Sequence, residues 1–211
     1  MKRILVALFV TIIATSSNLY AAKPKLLFLA GSARAGSFNK MLAHDAYEIA
    51  RAAGADATFI DLKDYPMPIY DGDLEEKEGL PTKARELKKI FAEHDGIFIA
   101  SPEYNYSMTP LFKNAFDWTS CGTEKNERPL SAFQGKTIAL SAASPGPSGG
   151  KNSIAAVRTM FKHCKIKVLP EQITVAHAYD KFADGHLQDN KLKMELEHVV
   201  NDLIKKTKHC K

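Results

Sequence analysis

The sequence predicts an α/β fold: a doubly wound, five-stranded parallel sheet with helices on both faces. Three observations predict it. Five short runs are apolar almost throughout, as strands buried on both faces must be. Segments with helical periodicity separate these runs, which is the order of a parallel sheet built from crossover units. The loops after the first, third and fourth runs are unusual in chemistry, and ligands of such sheets bind beyond the carboxyl ends of the strands, at the switch point in strand order.

Taken in order, KLLFLA from Lys25 to Ala30 reads as the first strand. Asn39 to Ala53 follows as a helix, with Met41, Leu42, Ala46, Ile49 and Ala50 on one side. ATFIDL, from Ala57 to Leu62, is the second strand, and the proline- and acid-containing stretch Pro66 to Gly79 reads as a surface loop. Pro81 opens a charged helix from Thr82 to Glu93, where its missing N–H costs nothing. GIFIAS (Gly96 to Ser101) is the third strand, and Pro110 to Ser120 is helical with Leu111, Ala115 and Trp118 in register. TIALSA (Thr137 to Ala142) is the fourth strand, and Lys151 to His163 the next helix. Pro170 interrupts the fifth strand region, Lys167 to Ala176, which places it near a sheet edge. Asn190 to Lys206 closes as an amphipathic helix.

The 211 residues, 45% hydrophobic and 25% charged, suit one domain of moderate size. The first 22 residues read as a secretory signal peptide and residues 23–211 as the domain. Lys2 and Arg3 form a positive start, and Ile4 to Ala14 an apolar run of eleven residues. Thr15 to Asn18 then leads to small residues at Ala21 and Ala22. Eleven residues fall short of the roughly 20 a membrane span needs, so the expectation is an exported protein with no stable span after cleavage. An uncleaved segment would leave it membrane-anchored, and a non-functional one cytoplasmic. Without Lys2 and Arg3 the formal charge of +5 becomes +3, spread widely, which gives no reason to expect nucleic acid. Cys121, Cys164 and Cys210 form no metal framework; an exported chain could join two of them, and the sequence does not say which. The seven histidines show neither metal nor triad spacing.

Three loops carry the chemistry. GSARAGSFN, from Gly31 to Asn39, precedes a helix start, where backbone N–H groups and a partial positive charge favour an anion. Ser32, Ser37 and Asn39 add donors, Arg34 adds a permanent charge, and no carboxylate is present. Ser37 as a plain helix cap is the competing reading. Both G-x-G-x-x-G and G-x-x-x-x-G-K-[ST] are missing, so a single phosphate fits better than a pyrophosphate or triphosphate. Asp61, ending the second strand, imitates a ribose-binding acid, but without those glycines it reads better as a polar strand end. The second loop places Pro102, Tyr104, Asn105, Tyr106 and Ser107 just past the third strand, flat faces beside polar groups that suit a planar heteroaromatic ligand. The third, SAASPGPSGG from Ser141 to Gly150, lets backbone approach a flat ring closely.

Together these loops resemble the NAD(P)H-dependent FMN reductase family, which includes quinone, chromate and azo-dye reductases and has a flavodoxin-like fold. G-S-x-R-x-x-S-x-N, P-E-Y-N-x-S followed by K-N-A-x-D-W, and S-P-G-x-x-G-G stand here in order, with F-x-D-G from Phe182 to Gly185. The similarity covers roughly Lys25 to Lys206. It implies that Ser32, Arg34, Ser37 and Asn39 bind the phosphate of FMN. It likewise implies that Pro102, Glu103, Tyr104, Asn105 and Tyr106 border the ribityl chain and ring. Ser144, Pro145, Gly146 and Gly149 would lie against the isoalloxazine. The chemistry would be that of the flavin, with NADPH or NADH as donor and a small molecule as acceptor: a quinone, free flavin, azo dye or metal oxyanion. No catalytic side chain and no metal are implied, and a homodimer or homotetramer is, with the helix after the second motif near the contact. Thr109-Pro110 departs from the family's usual Pro-Gly. Because nicotinamides are scarce outside the cytoplasm, an exported FMN-binding electron carrier fed by a partner protein is the alternative.

Overall fold

The computed structural model describes residues 23–122 and 127–208. The expected leader, residues 1–22, and Cys210 lie outside the described residues. The sheet comprises β1 (Lys25–Ala30), β2 (Asp56–Asp61), β3 (Gly96–Ala100), β4 (Thr137–Ala143) and β5 (Lys167–Val175), all parallel, in the order β2-β1-β3-β4-β5. That is the flavodoxin-like order, whose switch point lies between β1 and β3.

Strand residues alternate between the two faces. Leu26, Phe28 and Ala30 face one core with α1 (Phe38–Ala52) and α6 (Asn190–Lys208). Leu27, Leu29, Ile97 and Ile99 face the other with α3 (Thr82–Glu93), α4 (Pro110–Ser120) and α5 (Lys151–His163). Burying each such Leu, Ile or Phe removes apolar surface worth about 1.5–3 kcal/mol, so the doubly covered sheet is the main source of stability. β5 is an edge strand. Its pairing with β4 shifts register between Ile138 and Leu140, so Pro170 falls in the bulge where its missing N–H breaks no ladder bond. The Arg158 guanidinium donates to the Leu169 carbonyl there at 2.8 Å.

The stretch from Pro66 to Gly79 is not wholly loop. It contains α2 (Gly72–Glu78), capped by Asp71, whose carboxylate accepts from the N–H groups of Asp73 and Leu74. No residue of α2 is buried, so the helix leaves no apolar period in the sequence; its signal is the acid cap alone. The F-x-D-G motif forms a hairpin of β6 (Phe182–Ala183) and β7 (His186–Leu187). Its two turn residues, Asp184 and Gly185, have φ of 51° and 84°, the pairing that Asp-Gly favours. Cys121 and Cys164 are free thiols, and Cys164 packs half-buried against the second core.

Candidate active site

The register brings the carboxyl ends of β1, β3 and β4 level, with Ala30 beside Ala100 and Ala100 beside Ser141. Gly31 N–H donates to Ala100 O (2.9 Å) and Ser101 N–H to Ser141 O (2.8 Å), carrying the alignment one residue into the loops. The three loops therefore meet. They enclose a cleft of about 110 Å³ lined by Ser32, Arg34 and Gly36 to Asn39 of the first loop, Pro102, Glu103 and Tyr104 of the second, and Ala143, Ser144 and Pro145 of the third.

Ser37 caps α1, with its hydroxyl accepting from Lys40 N–H at 3.4 Å. The first turn of α1 holds no acid, so its N–H groups and partial positive charge open onto the cleft. Ser32 is buried and its hydroxyl accepts from Arg34 N–H, while the Arg34 side chain is exposed at the rim. Phe38 anchors this turn from behind, with its ring 5.3 Å from Phe182 and 5.2 Å from Tyr179. Larger hollows lie elsewhere, one of about 380 Å³ beside α1, where the acids Asp45, Glu48 and Glu197 outnumber Lys193 and His186 and disfavour a phosphate.

Two residues of the loops are engaged with the protein itself. Asn39 is buried, its amide NH₂ donating to Ala143 O (2.8 Å) and its amide oxygen accepting from Ala143 N–H (2.9 Å). It fastens the first loop to the end of β4. The Glu103 carboxylate accepts from the N–H groups of Asn152 and Ser153 and from the Asn152 side chain, at 2.9, 3.4 and 3.0 Å. Gly150 begins α5 without a side-chain cap, so Glu103 supplies the cap from another loop and places its charge at the positive helix end.

Asn105 and Tyr106 stand at the tip of a tight turn, with φ of 49° and 63°, between the paired backbones of Tyr104 and Ser107. Neither lines the cleft; Tyr106 is 80% exposed and Tyr104 54%. Gly146 and Gly149 also lie outside the lining. Gly149 has φ of 61°, and a Cβ there would stand 2.9 Å from Ala176 N, so its missing side chain serves packing on the end of β5. Thr109, at the departure from the family pattern, caps α4 ahead of Pro110 and donates to Gly31 O at 2.6 Å. Asp61 is ion-paired with Lys40 and accepts from Lys63 N–H, as a polar strand end would.

Two supports carried a weaker sequence signal. Asn114 and Trp118 of K-N-A-x-D-W both donate to Pro68 O, at 2.9 and 2.8 Å, and Asn114 accepts from Tyr70 N–H. This motif therefore straps the Pro66–Tyr70 segment to α4. Asp45, on α1, accepts from Leu187 N–H and pairs with His186, docking the hairpin.

With the loops in place, comparison with known proteins decides the family. The model of the NADPH-dependent FMN reductase family matches residues 24–180. This chain belongs to the NADPH-dependent FMN reductase family. It is 36% identical to NAD(P)H:quinone oxidoreductase of Solanum tuberosum over 188 residues, covering 85% of this chain and 92% of that protein. It is also 36% identical to the quinone reductase of Escherichia coli over 128 residues, but that match spans 61% of this chain and only 64% of the relative. Among solved structures it is similar to FerB, a flavoenzyme NAD(P)H:(acceptor) oxidoreductase from Paracoccus denitrificans. The TM-score is 0.67 at 25% identity, covering 86% of this chain and 96% of that one.

Proposed function

We propose that this family member is a flavoenzyme that oxidises NADPH or NADH through bound FMN and reduces a small acceptor, a quinone in the first place. The observation that carries this reading is the meeting of all three loops in one cleft at the helix α1 start, whose single lining carboxylate, Glu103, is turned onto the start of α5. Ser32, Ser37, Arg34 and the first-turn N–H groups would hold the phosphate, which bears roughly two negative charges at neutral pH. Pro102, Glu103 and Tyr104 would border the ribityl chain, with Ser144 and Pro145 against the ring. Asn39 would act as a positioning residue, holding the phosphate loop to β4. FMN supplies the redox chemistry when bound, and these residues supply position and electrostatics. The exposed rings of Tyr104 and Tyr106 offer flat apolar faces to a nicotinamide or quinone arriving from water.

The test is to purify the protein, measure its flavin content, and add NADPH or NADH without air, then a quinone. Bleaching by a nicotinamide and recovery with quinone supports the reading. A colourless protein that cannot be loaded with FMN sinks it. Flavin that is bound but inert to both nicotinamides favours an electron carrier fed by a partner protein, the role an exported location would invite. We further propose export through residues 1–22 and assembly as a homodimer or homotetramer. N-terminal sequencing of the protein from fractionated cells, and light scattering, check these.

A further inference from the structure

Thr109 stands between the first loop and the second. It precedes α4, and its hydroxyl is used twice: it donates to Gly31 O at 2.6 Å and accepts from Phe112 N–H at 3.2 Å. Thr109 is 1% exposed, so water does not stand in for either bond. Gly31, on the far side of the first bond, is equally confined. Its N–H donates to Ala100 O at 2.9 Å. A Cβ on Gly31 would stand 3.0 Å from Phe112 Cβ, 3.1 Å from Thr109 Oγ1 and 3.3 Å from Pro102 Cδ. Gly31 is thus pressed against the second loop and the start of α4, with both its backbone groups hydrogen-bonded.

The consequence falls on the next amide. In a planar trans peptide the C=O and the N–H point in opposite directions. Gly31 C=O points to Thr109, so Ser32 N–H, the other half of the same peptide, points away from α4. Ser32 is buried and lines the cleft, yet its N–H has no hydrogen-bond partner among the described residues. Buried N–H groups are nearly always paired, so this one is open to a ligand. The Ser32 hydroxyl, which accepts from Arg34 N–H, keeps its own proton for the same ligand. Thr109 does not line the cleft, so whatever it does there it does through Gly31 and Ser32. We infer that Thr109 is a positioning residue for the cofactor phosphate: its hydroxyl fixes the Gly31–Ser32 peptide so that Ser32 N–H is presented to the anion. The inference rests on the reading of the cleft as an FMN site.

The experiment compares FMN with riboflavin, which lacks the phosphate, by fluorescence titration of the full chain. Thr109→Val keeps the branched shape of the side chain and loses the hydroxyl. It should weaken FMN binding about tenfold and riboflavin binding less than about twofold, because the bond at stake is one to a charged group. Thr109→Ser restores the hydroxyl and should hold FMN affinity within about threefold of the parent. If Thr109→Val does not fold, Thr109→Ala removes the same hydroxyl with less bulk and carries the same expectation. Equal losses for FMN and riboflavin would show that Thr109 serves the fold alone, and would overturn the inference. So would FMN affinity unchanged in Thr109→Val, or a Thr109→Ser variant as weak as Thr109→Val. In those three cases the parent still binds FMN and the reading of the cleft stands, whereas a parent that binds neither flavin sinks both.

Discussion

Asn39 shows how one residue can look like a ligand contact and act as a strut. Its side chain meets both backbone groups of Ala143 in a buried setting, so removing it orphans a donor and an acceptor together. Each buried group left unpaired costs about 1–3 kcal/mol, so Asn39→Ala should lose about 2–4 kcal/mol in denaturant titration and weaken FMN binding. A loss under about 0.5 kcal/mol, the scale of an inert surface change, would contradict the strut. Cys121 offers a second test. Burial first, then the hydrogen bond to Glu75, push its thiol from the usual 9.0 up to about 11. Folding thus favours the neutral thiol: its contribution to stability is whole below pH 9.0 and is lost as pH rises through about 11. Near pH 8 the thiolate is about a hundredfold scarcer than in the unfolded chain, partly offset by its greater intrinsic nucleophilicity. Iodoacetamide should therefore label Cys121 more than about tenfold more slowly in folded protein than in urea, followed by mass spectrometry. Equal rates would show that the thiol is not shielded.

Between elements, the loops are held by caps that cross from one motif to another. Glu103 closes α5 from the loop after β3, and Thr109 closes α4 while holding Gly31. Glu103→Ala strips the N-terminus of α5 of its acceptor and its favourable charge, an expected loss of about 1–2 kcal/mol. Glu103→Gln keeps an acceptor and should fall between the two, with both variants showing weaker FMN binding by fluorescence titration. If Glu103→Ala melts like the parent, the cap is ornamental. These caps also mark the limit of sequence reading. The strands and long helices were legible because each buries a continuous or periodic apolar face. The meeting of the three loops was legible because a parallel sheet aligns its carboxyl ends. α2 and the β6–β7 hairpin were not read, since α2 buries nothing and the hairpin is four strand residues around Asp184-Gly185. Nor could the sequence separate Asn39 and Glu103, whose polar groups are spent on holding loops, from Ser32 and Arg34, which line the same cleft. All four are polar residues in the right motifs, and only long-range pairing distinguishes them.

At the scale of the whole molecule, the parallel sheet separates two chemistries. The cleft opens at the carboxyl ends of the strands and a group of lysines, Lys162 among them, lies at their amino ends, with the six residues of β1 spanning the distance between them. At about 3.3 Å per residue, that separation is about 20 Å. That distance is about two Debye lengths at physiological salt, so Lys162→Gln should leave FMN affinity unchanged within about twofold in fluorescence titration, and a larger loss would show that the two ends are coupled.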